Sequence, residues 1–158
     1  MPIGYVYSET SWGNFFYKVY NTPVNYGNAK AQCESDGTFL AIPRSQVEND
    51  FLTSLLSNQH IWIGINDIEQ EGKFVAVDGR EISWTNWLSG QPDGGTRQKA
   101  VKIDGDLGPP NLGRWRDWGD SANIRFVCSI YIQGTNFPFE FFRPFLSQII
   151  LSSSSPSQ

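Results

Sequence analysis

Two thiols, one imidazole and a short run of carboxylates are the side chains of this sequence that invite a chemical reading. Cys33 and Cys128 are either two buried thiols or one long-range bridge, and spacing alone does not choose. A pair is too few for a disulfide-dense scaffold or a four-cysteine zinc site. Bridged, they would close a loop of about 100 residues, worth roughly 4 to 5 kcal/mol in the entropic account. His60 has no cysteine or second histidine to share a metal with and reads as a surface residue. Asp104-Gly105-Asp106 hints at a Ca²⁺ loop, but it lacks EF-hand spacing and Pro109-Pro110 follows at once. No Ser-His-Asp, Cys-His or paired-carboxylate arrangement is supported, so no catalysis is expected. Between 91 and 117 five basic residues face four acidic ones, a local +1 in a chain of net −4.

The composition bounds what those groups can serve. The chain has 158 residues, enough for one domain and a tail. Its 12 Lys plus Arg against 16 Asp plus Glu exclude the basic surface that nonspecific duplex binding needs. At 39% hydrophobic and 15% aromatic it is too apolar for a disordered chain. Fifteen Gly and nine Pro favour turns and short elements over a helical bundle. No apolar run reaches the roughly 18 to 20 residues that cross a bilayer. The sequence describes a turn-rich globular domain.

The elements that must position the chemistry follow from local pattern. Residues 15–20 are β-formers and predict a strand. Asn25 can cap a helix whose inward positions are Tyr26, Ala29 and Cys33, with Gly37 suited to its left-handed C-terminal cap. Ser45-Gln46-Val47-Glu48 is a capping box, followed by Phe51, Leu52, Leu55 and Leu56 on one face of a second helix. Residues 61–65 predict a buried strand in which Gly64 permits close approach of a neighbour. Residues 74–77 and 81–84 flank Asp78-Gly79 and predict a hairpin. Residues 88–99 and 104–114 hold most of the turn-formers, separated by a short strand at 100–103; 114–117 and 124–132 are the last strands. Strand, helix, helix, then strands and long loops is an α+β pattern. Trp62, Trp84, Trp87 and Trp115 are expected in the core.

The two ends differ from this body. The first residues show no basic segment followed by an apolar one, so no signal peptide is expected. Residues 133–158 carry five Phe between 137 and 145, then Ile149-Ile150-Leu151 and a serine-rich end. The expected division is an N-terminal segment at 1–11, a domain at 12–132, and a Phe-rich arm with a disordered tail at 133–158. The arm is expected to lie on the domain or on a partner subunit.

In order along the chain stand the helix carrying Cys33, then Gly37-Thr38-Phe39-Leu40-Ala41 and Glu48-Asn49-Asp50-Phe51. Next come Trp62-Ile63-Gly64-Ile65, Trp84-Thr85-Asn86-Trp87, Gln91-Pro92-Asp93, Trp115-Arg116-Asp117 and Phe126-Val127-Cys128. This series resembles the C-type lectin-like domain from about Phe15 to Ile132. The resemblance implies two helices packed on small antiparallel sheets with a long loop region. It also implies a Cys33–Cys128 disulfide and a secreted or cell-surface setting where that bridge persists. The family's second, short disulfide is missing, with Ala100 and Asp120 at its positions; the long loop is expected to be less rigid for it.

The resemblance also implies a sugar site in which one Ca²⁺ is held by Gln91, Asp93, Gln98 and Asp117, with a cis peptide before Pro92. Vicinal hydroxyls of a sugar would complete the oxygen coordination. The Gln-Pro-Asp order resembles the galactose-preferring subset. Three departures stand out. Gln98 replaces a glutamate; Arg116 replaces an asparagine and can only donate; and Gly94-Gly95 replace the stacking aromatic, a role Trp118 could take from the neighbouring strand. About 5 Å from a Ca²⁺, the Arg116 guanidinium would be repelled by roughly 6 to 7 kcal/mol at an effective dielectric near 20, unless it turns outward. The function expected is therefore glycan recognition through Gln91, Asp93, Gln98, Arg116, Asp117 and Trp118. The alternative is a calcium-independent module for protein recognition, or for acidic glycans held by Arg97, Lys99, Arg114 and Arg116. For those four cations, ordinary solvated charge pairs are the simpler reading. An ice or mineral binder is a third class that no feature supports. Expected partners are glycans or glycoproteins, with room for a homo-oligomer, and neither nucleic acid nor a membrane span.

Overall fold

The computed structural model describes the backbone of residues 5–10 and 13–132, and side chains from 15 to 130. Eleven elements alternate as the pattern demands: strands β1 (Tyr5–Thr10) and β2 (Gly13–Val24), helix α1 (Tyr26–Ser35), β3 (Phe39–Leu40), helix α2 (Gln46–Ser54), β4 (Ile61–Asn66), β5 (Val75–Ala76), a 3₁₀ turn at Gly95–Arg97, β6 (Ala100–Ile103), β7 (Trp115–Trp118) and β8 (Ile124–Ile132). The sheet runs β1-β2-β8-β4-β6-β7, with β3 added on β8 and β5 on β4. Neighbours are antiparallel except β4 and β8, which run parallel from Ile61 opposite Arg125. Residues 5–10, ahead of the expected domain start, add an edge strand to β2. Pro23 lies where the β2–β8 register slips between Tyr20 and Val24, as a residue without an N–H requires.

Local chemistry sets both helices. Asn25 accepts the Asn28 N–H at 2.9 Å and starts α1, whose buried positions are Tyr26, Ala29 and Cys33. Ser45 accepts the Glu48 N–H at 3.2 Å, and the Glu48 carboxylate reaches back to the Arg44 N–H at 2.6 Å. The cap is thus reciprocal, as expected of the Ser-x-x-Glu pattern, but one residue wider. Gly37 has φ +72°, the left-handed geometry that ends α1.

Two apolar clusters meet across the sheet. One gathers Leu52 of α2 and Leu56, two residues beyond its end, with Ile63, Ile65, Val101, Trp115 and Val127. The other packs Tyr26 and Ala29 of α1 against Trp62, Phe126 and the Cys33–Cys128 disulfide. That bridge ties α1 to β8 across 95 positions of sequence. Gly64 is where β4 is squeezed: a Cβ there would lie 2.6 Å from the Leu40 carbonyl oxygen and 2.7 Å from Ile42. Trp62 and Trp115 are fully buried, while Trp84 and Trp87 are half-buried, each packed edge-on against Trp115.

One element differs from the sequence expectation. The turn at Asp78-Gly79 exists, with Gly79 at φ +77°, but 81–84 forms no strand and no hairpin closes. Val75 and Ala76 pair instead with Asn66 and Ile65 of β4. Asp78 is claimed by Arg44 at 2.6 Å and Arg80 at 2.7 Å, so the turn serves a tertiary ion pair. Burial against β4 overrides the local period of two.

Candidate functional site

The long loop is built around Asp117. This residue is 2% exposed on β7, and its two carboxylate oxygens accept the backbone N–H groups of Asp93 at 3.1 Å and Gly94 at 2.9 Å. The Gln91–Pro92 peptide is cis, as the resemblance implied. Asp93 is exposed, whereas Gln91 is half-buried with its Oε1 shielded from solvent and without a hydrogen bond. The loop then makes its 3₁₀ turn and delivers Gln98, whose side chain lies over Gly94 so closely that a Cβ there would clash at 2.2 Å. Gln91, Asp93, Gln98 and Asp117 are therefore drawn into one loop system, held on the sheet by a buried carboxylate.

A second tie fixes the same loop from the other side. The Lys99 ammonium meets Glu71 at 2.5 Å, and its carbonyl accepts the Asp67 N–H at 3.1 Å. Glu71 above all, with Asp67 and Asp120 behind it, holds the Lys99 ammonium above its ordinary pKa. The loop that lacks the family's short disulfide is stitched by these polar contacts, with Ala100 buried where one cysteine would stand.

Arg116 and Trp118 are not brought to Asp117. Alternation along β7 sends Trp115 and Asp117 to the buried side, and Arg116 and Trp118 to the other. Lys102, directly opposite Arg116 in register, shares that second side, and its ammonium sits 4.3 Å from the centre of the Trp118 ring. Trp118 is 36% exposed. The Arg116 Nε makes an ion pair with Asp104, a fully buried carboxylate that also takes Lys102 at 2.5 Å and His60 Nδ1 at 3.0 Å. Burial pushes the Asp104 pKa up, but His60, Lys102 and Arg116 outweigh it and hold the carboxyl below its ordinary value. The expected cation cluster is similarly divided: Lys99 belongs to Glu71 and Arg114 donates to Asn86 at 2.8 Å. Arg97 is exposed.

His60 corrects its sequence reading. It is half-buried, and its Nε2 lies 3.6 Å from Asp106, so a lone histidine becomes one corner of a His60, Asp104, Asp106 group. The signal was faint: Asp104 and Asp106 stand more than forty positions away, joined to His60 only by the β4–β6 pairing of Ile61 with Ile103. Asp104 has already spent both oxygens on cations, which opposes a metal there.

The loop carries oxygen donors of the kind Ca²⁺ takes. Gln91, Asp93 and Gln98 offer amide and carboxylate oxygens, the donors this ion selects, while the Asp117 carboxylate already accepts the Asp93 and Gly94 amides. The Gln91 Oε1 is a shielded acceptor with no donor, and Arg116 has turned away to Asp104.

A mixed sheet with two helices, a long loop on a cis Gln-Pro bond and a carboxylate clamp define a carbohydrate-binding lectin fold. The family model for the lectin C-type domain matches residues 22–130, and the chain belongs to that family. Its members are non-enzymatic binding proteins, and this chain is one. Lectin BRA-3 of Megabalanus rosa is 33% identical over 113 residues, covering 70% of this chain and 68% of that protein. C-type lectin domain family 3 member A of Homo sapiens is 35% identical over 113 residues, covering 68% of this chain and 55% of that protein. The chain thus spans between about half and two thirds of the length of these relatives. Among solved structures, the carbohydrate-recognition domain of cow CD23, crystallised with a GlcNAc2Man3 oligosaccharide, matches with a TM-score of 0.71 at 25% identity. That match covers 85% of this chain and 98% of the cow domain. No described helix is long and apolar enough to cross a membrane.

Proposed function

We propose that this domain binds glycans of the galactose type through a Ca²⁺ held by Gln91, Asp93, Gln98 and Asp117. The observation that carries the reading is the clamp of Asp117 on the Asp93 and Gly94 amides, which anchors the Gln-Pro-Asp loop to β7. An anchored loop presents its oxygens with little left to order on binding, so less of the interaction energy is lost. The ion, when bound, supplies a centre that a pair of sugar hydroxyls can reach. This chain's own residues orient those hydroxyls: the carboxylates accept hydrogen bonds from them, and the glutamine amides accept through oxygen or donate through nitrogen. Each site alone binds weakly, and repeated copies on one surface would raise the avidity. The disulfide supports an extracellular setting, since such bridges are rare in reducing compartments.

The test is thermal unfolding of the full chain in excess Ca²⁺ and in chelator. A ligand bound by the folded state at about 100 times its Kd adds roughly 2.7 kcal/mol, a rise of several degrees. Galactose and mannose columns run with Ca²⁺ then read the sugar. No thermal shift at millimolar Ca²⁺ would retire the calcium site, and retention on mannose in place of galactose would overturn the sugar assignment.

A further inference from the structure

A pocket of about 220 Å³ opens at the end of β4 where Ile61 pairs with Ile103 of β6 and Arg125 of β8. The long loop meets the other end, where Asn66 pairs with Ala100. Polar residues dominate the lining: Asn58, Gln59, His60, Asp106, Asn123 and Arg125. Packing sets one wall, since Gly105 lies against the Gln59 backbone so closely that a Cβ would overlap the Gln59 carbonyl oxygen. Arg125 stands apart from the other cations of this region. Asp104 takes Lys102, Arg116 and one nitrogen of His60, and Asp106 faces the other nitrogen of His60. Arg125 is half-buried with its Nε shielded from solvent, and it makes no hydrogen bond or ion pair among the described residues. A desolvated guanidinium without an acceptor is costly to the fold and open to a ligand.

We propose that this pocket binds the carboxylate or sulfate group of an acidic sugar, at a site separate from the calcium loop. A guanidinium is a planar fork of N–H donors that fits two oxygens of either group. The charge balance agrees: Lys102, Arg116 and Arg125 are three cations around two carboxylates, Asp104 and Asp106, a local +1 with His60 left aside. Asp106 opposes an anion, but its side chain is 56% exposed and turned to His60, so water and salt screen it. The side-chain amides of Asn58, Gln59 and Asn123 can donate to or accept from hydroxyls, which favours a sugar anion over an apolar one. The volume lies below the roughly 300 to 1,000 Å³ that encloses a drug-sized ligand, so the pocket suits one monosaccharide unit.

The test is a ¹⁵N NMR titration of the full chain in chelator, with glucuronate and glucose 6-sulfate as anionic probes and glucose as the neutral one. The expected result is a saturable shift of the Arg125 Nε–H and of the Asn58 and Asn123 amides with an anionic probe, and none with glucose. Arg125→Gln should weaken that binding about tenfold, the loss of one charged hydrogen-bonding partner. Arg125→Lys keeps the charge without the fork and should bind more weakly than the native chain. Asn123→Ala, at an exposed side chain, is the second variant if changes at 125 impair folding, and it should also weaken binding. Shifts absent with both anionic probes, equal shifts with glucose, or full affinity in Arg125→Gln would overturn the proposal. Inorganic sulfate binding as tightly as the sugar anions would overturn the sugar assignment. Chelator keeps Ca²⁺ from the long loop, so failure here is distinguishable from failure of the calcium site.

Discussion

Arg116 and Asp117 are neighbours in sequence and serve opposite faces of β7. Asp117 turns inward and receives two amides of the Gln-Pro-Asp loop, while Arg116 turns to the far side and pairs with Asp104. A strand's period of two thereby separates a cation from the carboxylate beside it. The consequences for the loop and for the buried Asp104 can be measured separately.

Asp117→Ala should uncouple the loop. It removes a carboxylate acceptor from the Asp93 and Gly94 amides, and hydrogen bonds to carboxylates contribute about 1.5 to 3 kcal/mol each. A loss of about 3 kcal/mol is expected in urea unfolding, together with loss of any Ca²⁺-induced thermal shift. Asp117→Asn keeps an acceptor for one amide and should fall between the two.

Arg116→Ala should behave differently. The sugar and calcium responses are expected to stay within about twofold, because the side chain is committed to Asp104 on the other face. Stability should fall, since Asp104 remains buried with one cationic partner fewer. Isothermal titration with Ca²⁺ beside thermal unfolding separates the effects. A large change in Ca²⁺ affinity would place Arg116 at the loop site after all.

Acid should weaken the fold through Asp104. Its folded pKa lies below the ordinary value near 4, so the folded state binds that proton less readily than the unfolded chain. The stability it contributes is fully present above the unfolded carboxylate range and is lost as pH falls through the depressed folded pKa. Asp104→Asn should destabilise the protein by about 3 kcal/mol at pH 7, the cost of leaving buried cations without their partner. The same variant should show a shallower acid limb in urea unfolding followed from pH 6 to pH 2.

Reduction of Cys33–Cys128 should cost about 4 kcal/mol, because a loop of 95 residues is released in the unfolded chain. The measurement is urea unfolding with and without dithiothreitol. An unchanged midpoint would show that packing of α1 on β8 carries the ends without the bond.

Much of the fold was legible before any coordinates. Asn25 and Ser45 start helices because each side-chain oxygen finds an N–H three residues on, a contact the local sequence contains in full. Gly64 could be read as a close approach because a glycine inside an apolar strand rarely has another use. The grouping of Gln91, Asp93 and Asp117 as one site rests on a resemblance, and nothing in their spacing alone assembles them. The expected hairpin at 74–84 failed for the same reason in reverse: its alternation was real, but β4 and the Arg44–Asp78 pair offered a better partner. The placing of His60 beside Asp104 and Asp106 was invisible, since it depends on β4 lying next to β6.

By itself, then, the sequence determined the elements, their caps and their tight turns, because those rest on contacts within a few residues. Spacing left Cys33 and Cys128 open between thiols and bridge; the resemblance implies the bridge, and the fold sets their Cα atoms 5.4 Å apart and joins them. It could name Arg116 as an obstacle to calcium, but only the strand's orientation in the sheet decided which way that side chain points. Charge and hydrogen-bonding capacity belong to residue types; the face on which they act is set by packing between segments far apart in the chain.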